Sequence, residues 1–332
     1  MRNFEHLRQQ GGFFPRPVYC SMQVFIEVVK FVIGIGVMLY GADLLVTKAE
    51  KFGRARRWPQ ILVGVLVVAV GTSLPEFVVG TLAALQGNPL LAAGNVLGSN
   101  ITNIGLIVGV AALIGEIKLS GKTVDYDIPL SILPLGVFVF GYILNSTATS
   151  LFGAALLLTY IGYLALTARE YEKKDPMPVR KIRFTAVDLL LLLLGIGLLV
   201  GGGELTLIFV KTLAVHIGFS NLVIGATLLA FGTSLPELVA TVAAVVKKKG
   251  QIAVGNVLGS NVFNILVVFA TTSIISPVEI PKLLFEIMFL GIISAAFLFV
   301  AKTGKRHVIS RAEGAFLCAL YVGYIVTILI VR

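Results

Sequence analysis

The sequence predicts an all-α integral membrane protein of ten transmembrane helices, arranged as two five-helix repeats of inverted topology. Three observations carry that prediction. Apolar runs of 18 or more residues recur along the chain, each long enough to cross a hydrocarbon core of about 30 Å. A 33-residue segment occurs twice, at 71–103 and 232–264, in a constant register of 161 residues, with 17 identities. Basic residues gather in alternate loops.

Composition removes most other classes. The chain is 57% hydrophobic and only 13% charged. A soluble domain of this length needs far more charge to cover its surface. The net charge of +10 would suggest nucleic acid in a soluble protein. Here the basic residues sit in short loops between apolar runs, where membrane orientation explains them. No nucleic-acid partner is expected. Cys20 precedes the first span and Cys318 lies inside the last, which is not a disulfide framework.

Taken in order, the candidate spans are roughly 23–47, 60–86, 90–114, 126–145, 150–168, 185–212, 219–246, 252–275, 282–301 and 311–331. Residues 1–21 are polar, contain Gly and Pro, and lack the apolar core of a signal peptide. They are expected to be a tail outside the membrane body, either disordered or preceding a true start at Met22. The linker 169–184 is short and charged, a connector without room for a regulatory domain. It divides a first repeat (22–168) from a second (185–332).

Orientation follows from the loops. With the N-terminus outside, the inside loops hold 20 of the 27 basic residues, from Lys48 through Arg311. The outside loops around Asn88, Asn145, His216 and Glu279 are nearly devoid of them. The positive-inside rule therefore selects a multi-pass protein of the cell membrane with both termini extracellular. Five spans separate the two motif copies, and an odd number inverts the second copy. The register also extends upstream: Gly34, Gly36, Gly41 and Asp43 match Gly195, Gly197, Gly202 and Glu204.

The duplicated segment carries the chemistry. Each copy opens with GTSLPE, at Gly71–Glu76 and Gly232–Glu237. Its proline removes a backbone donor and disrupts the preceding turn. In a bilayer, freed carbonyls must face protein, water or an ion; those near Ala69 and Ala230 are candidates. Glu76 and Glu237 add two carboxylates at membrane depth, and an intramembrane acid marks a functional site by default. The following GNVLGSNITN sets Asn95, Ser99 and Thr102 or Asn103 at helical spacing, repeated in the second copy as Asn256, Ser260 and Asn264. Hydroxyls, carbonyls, amides and carboxylates are ligands for hard cations such as Ca²⁺ and Na⁺. Neither copy holds His or Cys, which argues against zinc, copper or iron.

Blander readings compete. A Pro/Ser/Thr kink alone is more often structural than functional, and Gly at four-residue spacing usually serves helix packing. A buried Glu is often paired with a Lys, yet no basic residue lies within the four repeat helices before their loop ends. Duplication of every feature in register favours a site. Asp43 and Glu204 are weaker: polar contact between helices is the expected role, gating or a vestibule charge the alternative. Lys247–Lys249 read as an inside anchor. His216 and His307 are expected in loops, without site logic. No nucleophile–base constellation or cofactor motif is present, so an enzyme is not expected.

At both motifs and the upstream GAD (41–43), the chain resembles the Na⁺/Ca²⁺ exchanger family of the cation/Ca²⁺ antiporter superfamily, in its prokaryotic form without a large cytosolic loop. The resemblance runs from about Met22 to the end. Its α-repeats fall at about 61–114 and 222–275. It implies a compact core of helices 2, 3, 7 and 8, with helices 1 and 6 moving across it as gates. It also implies an ion site of Glu76 and Glu237, with oxygens from Thr72, Ser73, Thr233, Ser234, Ser99 and Ser260. Carbonyls of Ala69 and Ala230 and amides of Asn103 and Asn264 complete the set. The implied partners are transported Na⁺ and Ca²⁺ and the lipid bilayer, with no cofactor. One chain holds both halves of the site, so a monomer suffices. Some members carry Asp at the position of Asn264, and Asn at both equivalent places points away from K⁺ co-transport. The implied activity is electrogenic Na⁺/Ca²⁺ antiport by alternating access. The competing readings are a proton-coupled divalent-cation antiporter, with the glutamates as proton carriers, and a cation channel.

Overall fold

The computed structural model describes residues 17–144, 146–172, 182–217, 229–303 and 307–331. Helix α1 (Pro17–Arg56) opens the fold. It is followed by α2 (Gln60–Thr72) and α3 (Leu74–Leu85), bent by 46° at the break between them. Next come α4 (Pro89–Ile114), α5 (Thr123–Ile143), α6 (Ser150–Glu172) and α7 (Ala186–Ile217). The second motif copy occupies α8 (Leu229–Thr233), α9 (Leu235–Val246) and α10 (Gly250–Ile275). Helices α11 (Leu284–Thr303) and α12 (Arg311–Val331) end the chain. Among the described residues eight helices are long and apolar enough to cross a membrane, nine if the bent pair counts as one span. The expected span 219–246 begins on residues outside those described; α8 and α9 are its described part.

Three boundaries differ from the sequence expectation. Helix α1 starts at Pro17, ahead of Met22, and proline suits a first helical turn because its missing N–H would be unpaired there anyway. Helix α6 continues to Glu172, so the linker begins as the last turn of a helix. Helix α7 runs on to Ile217, which makes His216 helical, not a loop residue.

The core is built on α4 and α10. The apolar window of α4 is 78% buried and that of α10 is 94% buried, against 22% for α6 and α12. Small residues bring backbones into contact here. A Cβ on Gly259 would stand 2.6 Å from the Val65 carbonyl oxygen, and one on Gly255 would collide with that of Ile61. Only glycine permits that approach of α10 to α2. Outside this core, α1 lies along α7. Gly41 faces Gly195, and Gly34 faces Gly202. The two contacts are equivalent under the 161-residue register.

Helical hydrogen bonding widens to π geometry at Gly64–Val68, Asn103–Val108, Thr123–Asp127 and Asn264–Phe269. Such widenings gather at functional sites, and two of these begin at the motif asparagines.

Four two-residue strands tie the loops at the helix ends. β1 (Ile117–Lys118) pairs with β4 (Val308–Ile309), and β2 (Thr147–Ala148) pairs with β3 (Val278–Glu279). The register maps β1 onto β3 and β2 onto β4, so each half pairs with the other. The basic loops meet at one end. Lys48 and Lys51 hold Asp188 at 3.0 and 2.6 Å, Lys249 pairs with Glu50, and Gln251 donates to the Lys118 carbonyl.

Candidate cation-binding site

The helix break places the site. Ser73 leaves helical geometry at φ −84°, ψ 9°, and Ser234 at φ −87°, ψ 2°. Pro75 and Pro236 then sit in the first turns of α3 and α9. The proline acts within two residues of Ala69. The Ala69 carbonyl accepts the Ser73 N–H at 2.9 Å and the Thr72 hydroxyl at 3.2 Å. The carbonyl a proline strips of its donor lies four residues back, so it is Gly71, with Gly232 in the second copy. Ala230 lies in α8.

Each break brings its glutamate to the middle of the molecule, and both side chains are fully buried. Glu76 Oε1 accepts from Ser234 at 3.3 Å and from Ser99 at 3.5 Å. Glu237 Oε1 lies 2.8 Å from Ser73 Oγ and 3.5 Å from Ser260 Oγ. Ser73 and Ser260 are themselves 2.9 Å apart. Each carboxylate is thus held by one serine from its own half and one from the other. The second oxygens, Glu76 Oε2 and Glu237 Oε2, are buried without a partner.

The asparagines complete the set. Asn103 donates its amide to Asn261 Oδ1 at 3.0 Å, and Asn264 donates to Asn100 Oδ1 at 3.1 Å. Their own Oδ1 atoms are buried and unpartnered. Four acceptor oxygens, two of them carboxylate, therefore lack donors. Burying such groups unpaired is costly, and a hard cation satisfies a set made of acceptors alone.

The remaining residues divide. Thr72 lies 3.1 Å from Asn256 Oδ1, and Thr233 lies 3.4 Å from Asn95 Oδ1, so both threonines bridge the halves beside the carboxylates. Thr102 donates to the Gly98 carbonyl at 2.8 Å, which leaves Asn103 as the ligand candidate of that pair. Asp43 is apart from the site, in a half-exposed ion pair with Lys247 at 2.6 Å. Glu204 is exposed. Lys247 and Lys249 do more than anchor to lipid, since they bind α1 at Asp43 and Glu50. Sequence reasoning missed the roles of Asn100 and Asn261. Both stand inside the duplicated GNVLGSN, but only the crossing of α4 and α10 reveals which residues they face.

The chain is similar to known proteins along most of its length. Residues 26–169 and 187–330 each match the family model described as sodium/calcium exchanger protein. The membrane protein MJ0091 of Methanocaldococcus jannaschii is 34% identical over 298 residues, covering 88% of this chain and 94% of that protein. The sodium/calcium exchanger MaX1 of Methanosarcina acetivorans is 29% identical over 349 residues, covering 92% and 99%. The solved sodium-calcium exchanger NCX_Mj, soaked with Na⁺ and Sr²⁺, superposes with TM-score 0.78 at 30% identity, over 91% of this chain and 98% of that one. This multi-pass, all-helical membrane protein belongs to the sodium/calcium exchanger family.

Proposed function

We propose that the chain is a secondary antiporter exchanging Na⁺ for Ca²⁺ by alternating access, electrogenic and independent of K⁺. The observation that carries this reading is the set of four buried, donorless oxygens on Glu76, Glu237, Asn103 and Asn264. Two carboxylates balance one Ca²⁺ in charge, and the neutral oxygens replace its water. Sodium ions can divide the same oxygens, so the two cargoes compete. Competition becomes antiport when only loaded states change sides. Relatives named as sodium/calcium exchangers support the ion pair. Asn at both amide positions keeps the formal site charge at two, which supports independence from K⁺.

The architecture we propose is ten spans in two inverted repeats, with the unassigned span crossing 219–246. The reciprocal pairs support it: Gly34 with Gly202 and Gly41 with Gly195, and β1 with β4 and β2 with β3. The clustering of basic loops at one end supports a cytoplasmic assignment for that end, with both termini outside.

Ca²⁺ uptake into proteoliposomes tests the reading. Vesicles are loaded with Na⁺ and diluted into Na⁺-free buffer at fixed pH, with voltage set by K⁺ and valinomycin. Uptake that requires internal Na⁺ and varies with voltage is expected. Uptake driven by a proton gradient alone would replace the proposal with the proton-coupled mechanism.

A further inference from the structure

Behind the four oxygens lies a second set of amides, and one of them has a fixed orientation. Asn100 donates its Nδ2 to the backbone carbonyl of Asn261 at 3.1 Å. A backbone carbonyl can only accept, so this bond decides which way the Asn100 amide points. Its Oδ1 must then face Asn264, and it lies 3.1 Å from Asn264 Nδ2. Asn264 in turn can only donate there, which leaves its own Oδ1 free of that contact, buried and without a donor. All three residues are on α4 or α10, so the chain of orientation crosses from one half to the other.

We infer that Asn100 is a positioning residue for cation binding: it sets the amide of Asn264 so that oxygen, not nitrogen, is offered to the ion. The inference rests on the cation-antiport reading of the site. A flipped Asn264 would present an NH₂ group to a cation, exchanging an attractive dipole for a repulsive one. The arrangement also selects the charge of the ligand at 264. An ionised Asp there would set a carboxylate oxygen against Asn100 Oδ1, two acceptors with no proton between them. To donate to that Asp, Asn100 would have to turn over and give up its bond to the Asn261 carbonyl. The site is therefore matched to a neutral ligand at 264. A small cavity bordered by Asn100, Asn261, Ser131 and Ser294 lies beside this contact, so the amide is not wedged in place by packing on every side, and its hydrogen bonds set its orientation.

A double-mutant cycle on purified protein separates positioning from general structure. Ca²⁺ binding is titrated calorimetrically for wild type, Asn100→Ala, Asn264→Ala and the double variant. Asn100→Ala is expected to weaken Ca²⁺ binding about tenfold in the wild-type background and less than twofold when Asn264 is already Ala. Equal weakening in both backgrounds, or none, overturns the assignment. Asn100→Ser, which retains a hydroxyl, provides a milder variant if the alanine form does not fold, and the same non-additivity is expected of it. The titration stands apart from the transport assay. Wild-type protein that binds Ca²⁺ but shows no Na⁺-driven flux would overturn the antiport reading, while the cycle would still decide the role of Asn100.

Discussion

Ser73 Oγ lies 2.8 Å from Glu237 Oε1, so the residue that breaks the motif helix of one half holds the carboxylate of the other. The register-equivalent contact, Ser234 to Glu76 Oε1, is 3.3 Å. Ser73→Ala removes a buried hydrogen bond to a charged group, worth about 1.5–3 kcal/mol. The half-saturating Ca²⁺ concentration for uptake is expected to rise by about tenfold or more, with Ser234→Ala milder because its bond is longer. An unchanged Ca²⁺ dependence in Ser73→Ala would show that the serine does not hold the carboxylate.

The carboxylates themselves admit no substitute. Glu76→Gln or Glu237→Gln leaves one negative charge opposite a dication. Losing one partner of a buried ion pair costs about 3–5 kcal/mol, more than a hundredfold in binding. Na⁺-dependent Ca²⁺ flux should fall to background while the variants elute from size exclusion like wild type. Normal flux in either variant would remove the glutamates from the site.

Two glycines five residues apart on α1 should respond in opposite ways. A Cβ on Gly41 would stand 2.5 Å from the Leu199 backbone nitrogen, whereas one on Gly36 meets nothing within 4 Å. Gly41→Ala forces α1 and α7 apart at a cost of about 1–3 kcal/mol. Gly36→Ala gains up to about 1 kcal/mol of helix propensity. Thermal unfolding in detergent distinguishes them, and equal shifts would place the α1–α7 contact elsewhere.

The turn between α9 and α10 contains a residue ill-suited to its backbone. Lys248 has φ 59°, and its register equivalent, Gly87, has φ 75°. A left-handed conformation costs a non-glycine residue about 1–2 kcal/mol. Lys248→Gly should therefore raise the unfolding temperature by a few degrees with transport unaffected. A lower unfolding temperature would mean that the Lys248 side chain contributes more than the strain costs.

The site was legible where the sequence repeats itself. Glu76, Glu237, Asn103 and Asn264 stand out because two copies of one motif carry them at one register, and the structure buries all four. What a single strand of text hides is contact between copies. Asn100 was visible only as a letter of the motif, since its partner Asn264 is on another helix. The proline marks a released carbonyl near Ala69, and its four-residue reach narrows that to Gly71. The widened helical turns at Asn103 and Asn264 leave no composition signal, for Ile, Leu and Val fill ordinary helix equally well. The strands were too short for any periodicity to announce them.

Those strands have a consequence for biogenesis. Ile117 pairs with Ile309, and the Leu119 N–H donates to the His307 carbonyl, so the third loop of the chain waits for the last. During synthesis, the first half enters the membrane with the edge at Ile117–Lys118 unmatched until almost the whole polypeptide has been made. Completion of its basic end is thus a late event, set by the arrival of α11 and α12. A chain stopped before Val308 should insert its helices yet stay open to protease near Lys118, whereas the full-length protein should be protected there.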